Sequence, residues 1–425
     1  MQRALKGEWL DKYNEIDSER IENTIVLTAY NANIDVISRV EDLNLEISEV
    51  NPKLHEKINT KAQLEQALKY CMENEENHEI DKGSLEYEPE GDARIGGQAG
   101  IVANLLSRIG SKPIFYTPLL SEELTSVLDN EVSYPKTGKN RIIEEKVNEC
   151  ANSTRTKKNL IFEFQSGRTG RLILSDTLKG FGPYFNSDLE DNISELDAKI
   201  DCGFLSGFHN VTGNKESKIK KSERQLKAIE SPLHLEFAYK GKEIAELMLD
   251  FIVPEVDSIG VDENEIHKIL EIKDIEASED LDLVEGFEKC SQLLEKLNIS
   301  RIHFHGFSYH LIVAEEGYSL ESSKIRDSML LGEMTAIQEA ETGKIPSKRT
   351  LEKFDSQDEN LSLKGIEQLS KFEEVHDIEK FGSKGFAEIE GKKVAAIPIL
   401  IHQDPEKTVG MGDIISATTF TSENS

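Results

Sequence analysis

From about residue 200 onward the chain alternates short apolar segments with amphipathic ones, and this rhythm constrains the fold more than any other feature. Cys202–Gly207, Pro232–Phe237, Asp257–Gly260, Arg301–His305 and Val394–Ile401 read as strands. Glu243–Ile252, Glu263–Ile272 and Val284–Leu297 read as helices between them. Alternating strands and helices imply a mainly parallel sheet with helices on both faces. Thr24–Tyr30, a nearly continuous apolar run, adds a strand covered on both sides. It ends in Asn31-Ala-Asn-Ile-Asp35, polar residues at the strand end where open parallel sheets bind ligands.

Two segments break the rhythm. Residues 38–93 are acidic, peak in Glu73-Asn-Glu-Glu-Asn-His-Glu79, and read as a helix-bearing insertion. Asn159–Phe164 and Arg171–Ser175, separated by a turn, read as a hairpin. Between them Gly96–Gly110 opens a helix, with Ile101, Leu105 and Ile109 on one face and Gly110 as its stop. We therefore expect an α/β protein in two parts. Residues 1–37, 94–140 and 181–425 would form a large domain, and 38–93 with 141–180 a small β-containing lid.

Composition narrows the function. Eighty acidic and 50 basic residues in 425 give a formal charge of −30. That field repels phosphate backbones and anionic membranes, so neither nucleic acid nor a membrane is an expected partner. Self-repulsion of this kind is screened by salt, which suggests a moderately halophilic, salty cytoplasm. Cys71, Cys150, Cys202 and Cys290 show no metal-ligand spacing and read as reduced packing residues. Met1–Asp11 lacks an apolar core, and Val394–Ile401 is too short to span a bilayer, so a cytoplasmic location is expected.

Three constellations carry chemistry. In Lys407-Thr-Val-Gly-Met-Gly-Asp-Ile-Ile-Ser416 a helix begins near Gly412, after a strand. Gly410, Met411 and Gly412 would present bare N–H groups to an anion. Asp413 is a poor neighbour for an anion unless its carboxylate accepts a hydroxyl proton while those N–H groups hold a transferred phosphoryl. The bland alternative is an N-capping Asp. Second, His234 and Glu236 share a strand face, and Asp262, Glu263 and Glu265 crowd the next helix start. These are hard oxygen donors suited to Mg²⁺, or else simple partners of the helix dipole. Third, Asn33, Asp35, Gly97 and Gln98 gather donors and acceptors of the kind that bind sugar hydroxyls, or serve as turn and cap residues.

Taken together, Ala29–Asp35, Arg94–Asn104, Leu205–Phe208, His234–Glu236, Ser258–Gly260 with its acidic tail, and Thr408–Asp413 resemble the archaeal ADP-dependent sugar kinases in the same order. The resemblance covers nearly the whole chain and is greatest to the phosphofructokinase branch from methanogens. It implies a ribokinase-like core with a lid, ADP as phosphoryl donor, AMP as product and Mg²⁺ as cofactor. It also implies Asp413 as base, the Gly410–Gly412 backbone as anion hole, and Glu236 and Glu265, with Asp413, around Mg²⁺. Asn33, Asp35, Gly97 and Gln98 would bind the sugar; Arg171, Val409 and His402 would lie on the nucleotide side. This chain has Asp262 where the family usually has Asn, and Gly170 where an Asn precedes the equivalent of Arg171.

Arg155, Lys157, Lys158 and Arg168 form a basic cluster near the expected lid, a local reversal of charge suited to a phosphorylated sugar. Glu79 falls near the position of a Glu that recognises glucose in relatives. The expected function is thus 6-phosphofructokinase activity with some glucokinase activity, in a modified glycolysis, carried by a monomer. The rivals are a mainly glucose-specific enzyme, an ATP-dependent kinase of the same superfamily, and a non-catalytic sugar or nucleotide sensor. His209, His303, His305, His310 and Trp9 are expected to pack.

Overall fold

The computed structural model describes residues 2–138, 141–166, 168–356, 359–402, 405–406 and 410–425. Among them, eleven strands form one large sheet. Its order is Phe386–Ile389, Lys392–Pro398, Tyr309–Glu315, Arg301–His305, Ser258–Asp262, Leu233–Glu236, Cys202–Leu205, Ile25–Ala29, Lys112–Tyr116, Ser133–Gly138 and Arg141–Lys146. From Arg301–His305 through Ser133–Gly138 all pairings are parallel. The three-strand edge beyond Arg301–His305 and the opposite hairpin are antiparallel.

The centre is parallel for the reason its sequence suggests. Its strands are buried along their lengths, so each needs apolar side chains on both faces and helical connections to cover them. The edges depart from expectation. Val394–Ile401 is not one parallel strand: Lys392–Pro398 runs antiparallel to Tyr309–Glu315, and Leu400–Ile401 pairs separately with Asn360–Leu361. The helix Ser322–Thr342, absent from the sequence reading, is buried on most of its circumference. A helix enclosed that way carries no polar face and hence no 3.6-residue stripe.

A second sheet of six strands runs Lys57–Ile58, His78–Lys82, Arg168–Ser175, Lys158–Ser166, Asn33–Arg39 and Asp92–Gly96. The hairpin of Lys158–Ser166 and Arg168–Ser175 is as read from sequence. Helix Lys61–Asn74 packs Leu64 and Leu68 against Phe162 and Leu172, giving this sheet its own core. Sheet membership follows different limits from 38–93 and 141–180. Asn33–Arg39 and Asp92–Gly96 pair with each other here, while Arg141–Lys146 belongs to the large sheet. The chain therefore passes between the sheets at Tyr30–Ala32 and again at Gly97, beside the proposed sugar ligands.

The N-terminal helix Gln2–Asn14 closes the large unit. Trp9 is fully buried and its indole N–H donates to the Gly382 carbonyl at 3.0 Å. All four cysteines are buried and unbridged. No helix among the described residues is long and apolar enough to cross a membrane.

Candidate active site

The site forms where the parallel strands end. Helix Met411–Glu423 follows Gly410, whose φ of 82° is a left-handed conformation that favours glycine. The turn brings the first N–H groups of a 13-residue helix to the sheet edge with Asp413 in its first turn. A second helix, Gln98–Arg108, starts after Gly97 and points its first residue at the same spot. The Gln98 amide donates to Asp413 Oδ1 at 2.9 Å.

A cavity of about 590 Å³ opens beneath these two helix starts. Asn33, Asp35, Glu79, Gly97, Gln98, Glu265, Gly410 and Asp413 all line it, so the structure brings together candidates drawn from distant parts of the chain. Asp35 Oδ1 accepts from the amides of Asn33 at 2.6 Å and Asn159 at 3.0 Å, which fixes its carboxylate at the wall. Asn159 was not expected from sequence.

Glu236 ends its strand, buried, with Oε2 3.2 Å from His234 Nε2. Burial, then the charge of Asp413, push its carboxyl well above the usual range, while the Ser416 hydroxyl bonds to it and pulls the other way. Glycine is required opposite: a Cβ on Gly260 would stand 2.3 Å from Glu236 Oε2, 2.6 Å from Ser416 Oγ and 2.9 Å from His234 Nε2. Glu265 is pushed up to about 8 by burial and then by Asp262. These two residues also make a capping box: Glu265 N–H donates to Asp262 Oδ1 at 2.8 Å, and Asp262 N–H to Glu265 Oε2 at 3.0 Å. The helix-start reading of these acids is therefore realised, and Glu265 still reaches the cavity.

The basic residues are arranged differently from expectation. Lys158 is held in an ion pair by Glu123, and Arg155 donates to the Lys179 carbonyl at 2.7 Å; neither lines the cavity. Lys157 and Lys240 do, with His209. All three also line an adjoining cavity of about 260 Å³ that lies beyond Asp413's reach. Lys157 precedes the strand Lys158–Ser166, and its carbonyl accepts from the Ile34 N–H at 2.9 Å, beside the chain segment that carries Asn33 and Asp35. Burial, then the neighbouring Lys240 charge, lower the Lys157 ammonium. His209 falls to about 3, through burial and the same two lysines, and is a neutral ring at the cavity wall. Lys240 and His209 were missed as site residues, since each is isolated in sequence. The side chain of Arg168 lies outside the described residues.

Of the residues expected to face a nucleotide, His402 lines an apolar cavity of about 290 Å³ with Met411, Ile337, Ala340 and Ile415. Val409 lies outside the described residues. Arg171 lines a fourth cavity of about 540 Å³, with Arg94, Arg108 and Lys344, and Asp413 is not among its lining residues. Among the described residues no group of three His, Cys, Asp or Glu is close enough to hold a metal ion directly.

Comparison with known proteins defines the class. Residues 24–422 match the model of the ADP-specific phosphofructokinase/glucokinase conserved region, and the chain belongs to this family. It is an ADP-dependent sugar kinase, a phosphotransferase acting on a sugar hydroxyl, with a ribokinase-like core. The ADP-dependent glucose/glucosamine kinase of Pyrococcus furiosus is 27% identical, over 94% of each chain. The ADP-specific phosphofructokinase of the same organism is 25% identical, over 93% of this chain and 96% of its own. A solved ADP-dependent kinase in complex with fructose-6-phosphate and ADPβS superposes with a TM-score of 0.80 at 25% identity, covering 99% and 97% of the two chains.

Proposed function

We propose that this chain transfers the β-phosphoryl group of ADP to the free primary hydroxyl of fructose 6-phosphate, giving fructose 1,6-bisphosphate and AMP, with secondary activity on glucose. One observation carries the choice of sugar. The cavity that holds Asp413 also holds Lys157 and Lys240, paired cations in a chain of charge −30. Lys240 repels Lys157 although Glu79, Asp35 and Asp176 lie near, and the phosphate of a phosphorylated sugar would relieve that repulsion. The relatives named phosphofructokinases and the complex with fructose-6-phosphate support the reading.

In this reading Asp413 accepts the hydroxyl proton, with Gln98 holding its carboxylate in place. The N–H groups at the start of Met411–Glu423 lie where they stabilise the migrating phosphoryl oxygens. The apolar cavity at His402 and Met411 takes the adenine. Asn33, Asp35 and Gln98 orient the sugar hydroxyls.

Glu236 and Glu265 fit Mg²⁺. Their environment is oxygen-rich, and both carboxyls are raised by burial and then by neighbouring carboxylates. Mg²⁺ uses one or two carboxylates and keeps its waters, so a close three-ligand cluster is not needed. When bound, the ion would offset the charge on the donor's phosphates.

Glu79 at the cavity wall and the relative named a glucose/glucosamine kinase favour glucose as a second substrate. A coupled assay of ADP and ATP, each with fructose 6-phosphate and glucose, tests the whole reading. The expected result is AMP formation with ADP, fastest with fructose 6-phosphate. Faster turnover of glucose, or a preference for ATP, would overturn it.

A further inference from the structure

Behind the cavity, five buried polar side chains are joined end to end. Arg301 and Glu423, both fully inaccessible, pair at 2.9 Å. The other terminal nitrogen of Arg301 donates to Ser258 Oγ at 2.7 Å. Ser258 Oγ lies 2.8 Å from His234 Nδ1, and His234 Nε2 lies 3.2 Å from Glu236 Oε2. A charged arginine buried this deeply is costly unless its donors are used.

The directions of these bonds follow from chemistry. A guanidinium only donates, so Ser258 Oγ accepts from it. The serine's own proton then has one acceptor among the described residues, the lone pair of His234 Nδ1. Nδ1 therefore carries no proton, Nε2 carries one, and that N–H faces Glu236. A second arm is built alike: His305 Nε2 lies 2.7 Å from Ser416 Oγ, whose hydroxyl bonds to Glu236. His305 Nδ1 has no partner among the described residues, as expected of an unprotonated ring nitrogen.

We propose that Arg301 and Ser258 are positioning residues which, through His234, aim an N–H at Glu236 and hold its carboxyl group in one orientation. Without that polarity His234 would be free to turn its lone pair toward Glu236, a carboxylate already crowded by Asp413, Glu265 and Asp262. The proposal rests on Glu236 serving the Mg²⁺-assisted transfer, and its first test is independent of that role.

Neutron diffraction from the perdeuterated full-length protein locates the exchangeable atoms directly. The expected map shows deuterium on His234 Nε2 and the Ser258 hydroxyl directed at Nδ1. Deuterium on Nδ1 would overturn the proposal. Ser258→Ala should lower turnover about 10–100-fold, the usual range for partners that orient ligand side chains. It should raise the Mg²⁺ concentration needed for half-activation and leave the KM for sugar unchanged. Parental turnover and Mg²⁺ dependence in S258A would also overturn it, and the wild-type neutron map decides the matter even if S258A does not fold. Glu236→Gln separates the two readings: parental activity there would refute the role of Glu236 while leaving the bond directions to the map.

Discussion

The amide nitrogen of Gln98 stands 2.9 Å from Oδ1 of Asp413, joining the first turns of two helices that begin 313 positions apart. Both helix starts thus converge on one carboxylate. Asp413→Asn preserves an acceptor for Gln98 and removes only basicity. Turnover should fall about 10²–10⁴-fold, as for loss of a positioned base, with both KM values within a few-fold. Steady-state kinetics check this, and near-parental turnover would exclude Asp413 as the base.

The division of the lysines gives a second expectation. Lys157→Ala and Lys240→Ala should each raise the KM for fructose 6-phosphate about tenfold or more, since a charge-assisted hydrogen bond contributes about 1.5–3 kcal/mol. The KM for glucose should change little. Lys158→Ala removes a solvent-exposed ion pair with Glu123 and should leave both constants near parental. Equal effects on the two sugars would contradict the placing of the phosphate.

Glu265 sets a pH dependence. Its folded carboxyl is raised from 4.5 to about 8, so between those values the folded chain holds a proton that the unfolded chain has lost. The sign follows: this group makes the metal-free protein less stable as pH rises from 4.5 to about 8, and the loss levels off above. Thermal melts should show a falling Tm across that window, flattened in Glu265→Gln and relieved by Mg²⁺. Asp262→Asn should shift the window downward, because Asp262 is the charged neighbour that raises Glu265 most.

Gly260 supplies a steric test. The strand register around it is fixed on both sides, to Glu236 and to His303, so Gly260→Ala cannot slide away from the contact. Overpacking should cost about 1–3 kcal/mol of stability. Turnover should fall further than that cost implies, because the new methyl meets Glu236, Ser416 and His234 together. Parental kinetics would show that Glu236 has room to move without consequence.

Much of this architecture was legible because local pattern and tertiary role coincide. The run Ile25–Ala29 is nearly all apolar because both of its faces are covered, and Gly410–Asp413 reads as a helix start because Gly410 precedes the helix Met411–Glu423. Other parts had no local signature. Tyr309–Glu315 pairs antiparallel with strands whose partners are set by the long-range fold, and Ser322–Thr342 is too enclosed to show a stripe. The cation pair failed differently: Arg155, Lys157 and Lys158 look alike as a cluster, and only tertiary contacts decide which one reaches the cavity. Lys240 joins Lys157 from the loop between Leu233–Glu236 and Lys242–Phe251, a pairing no spacing along the chain records.

The cavity at Asp413 takes its walls from both sheets, with Asn33, Asp35, Glu79 and Asn159 on the smaller and Glu265, Gly410 and Asp413 at the edge of the larger. Its volume is therefore a gauge of how far apart the two sheets stand. A covalent tether that fixed that spacing a few ångströms too wide would silence the enzyme with every reactive group intact, and one that fixed it correctly would spare the sugar the work of drawing the halves together.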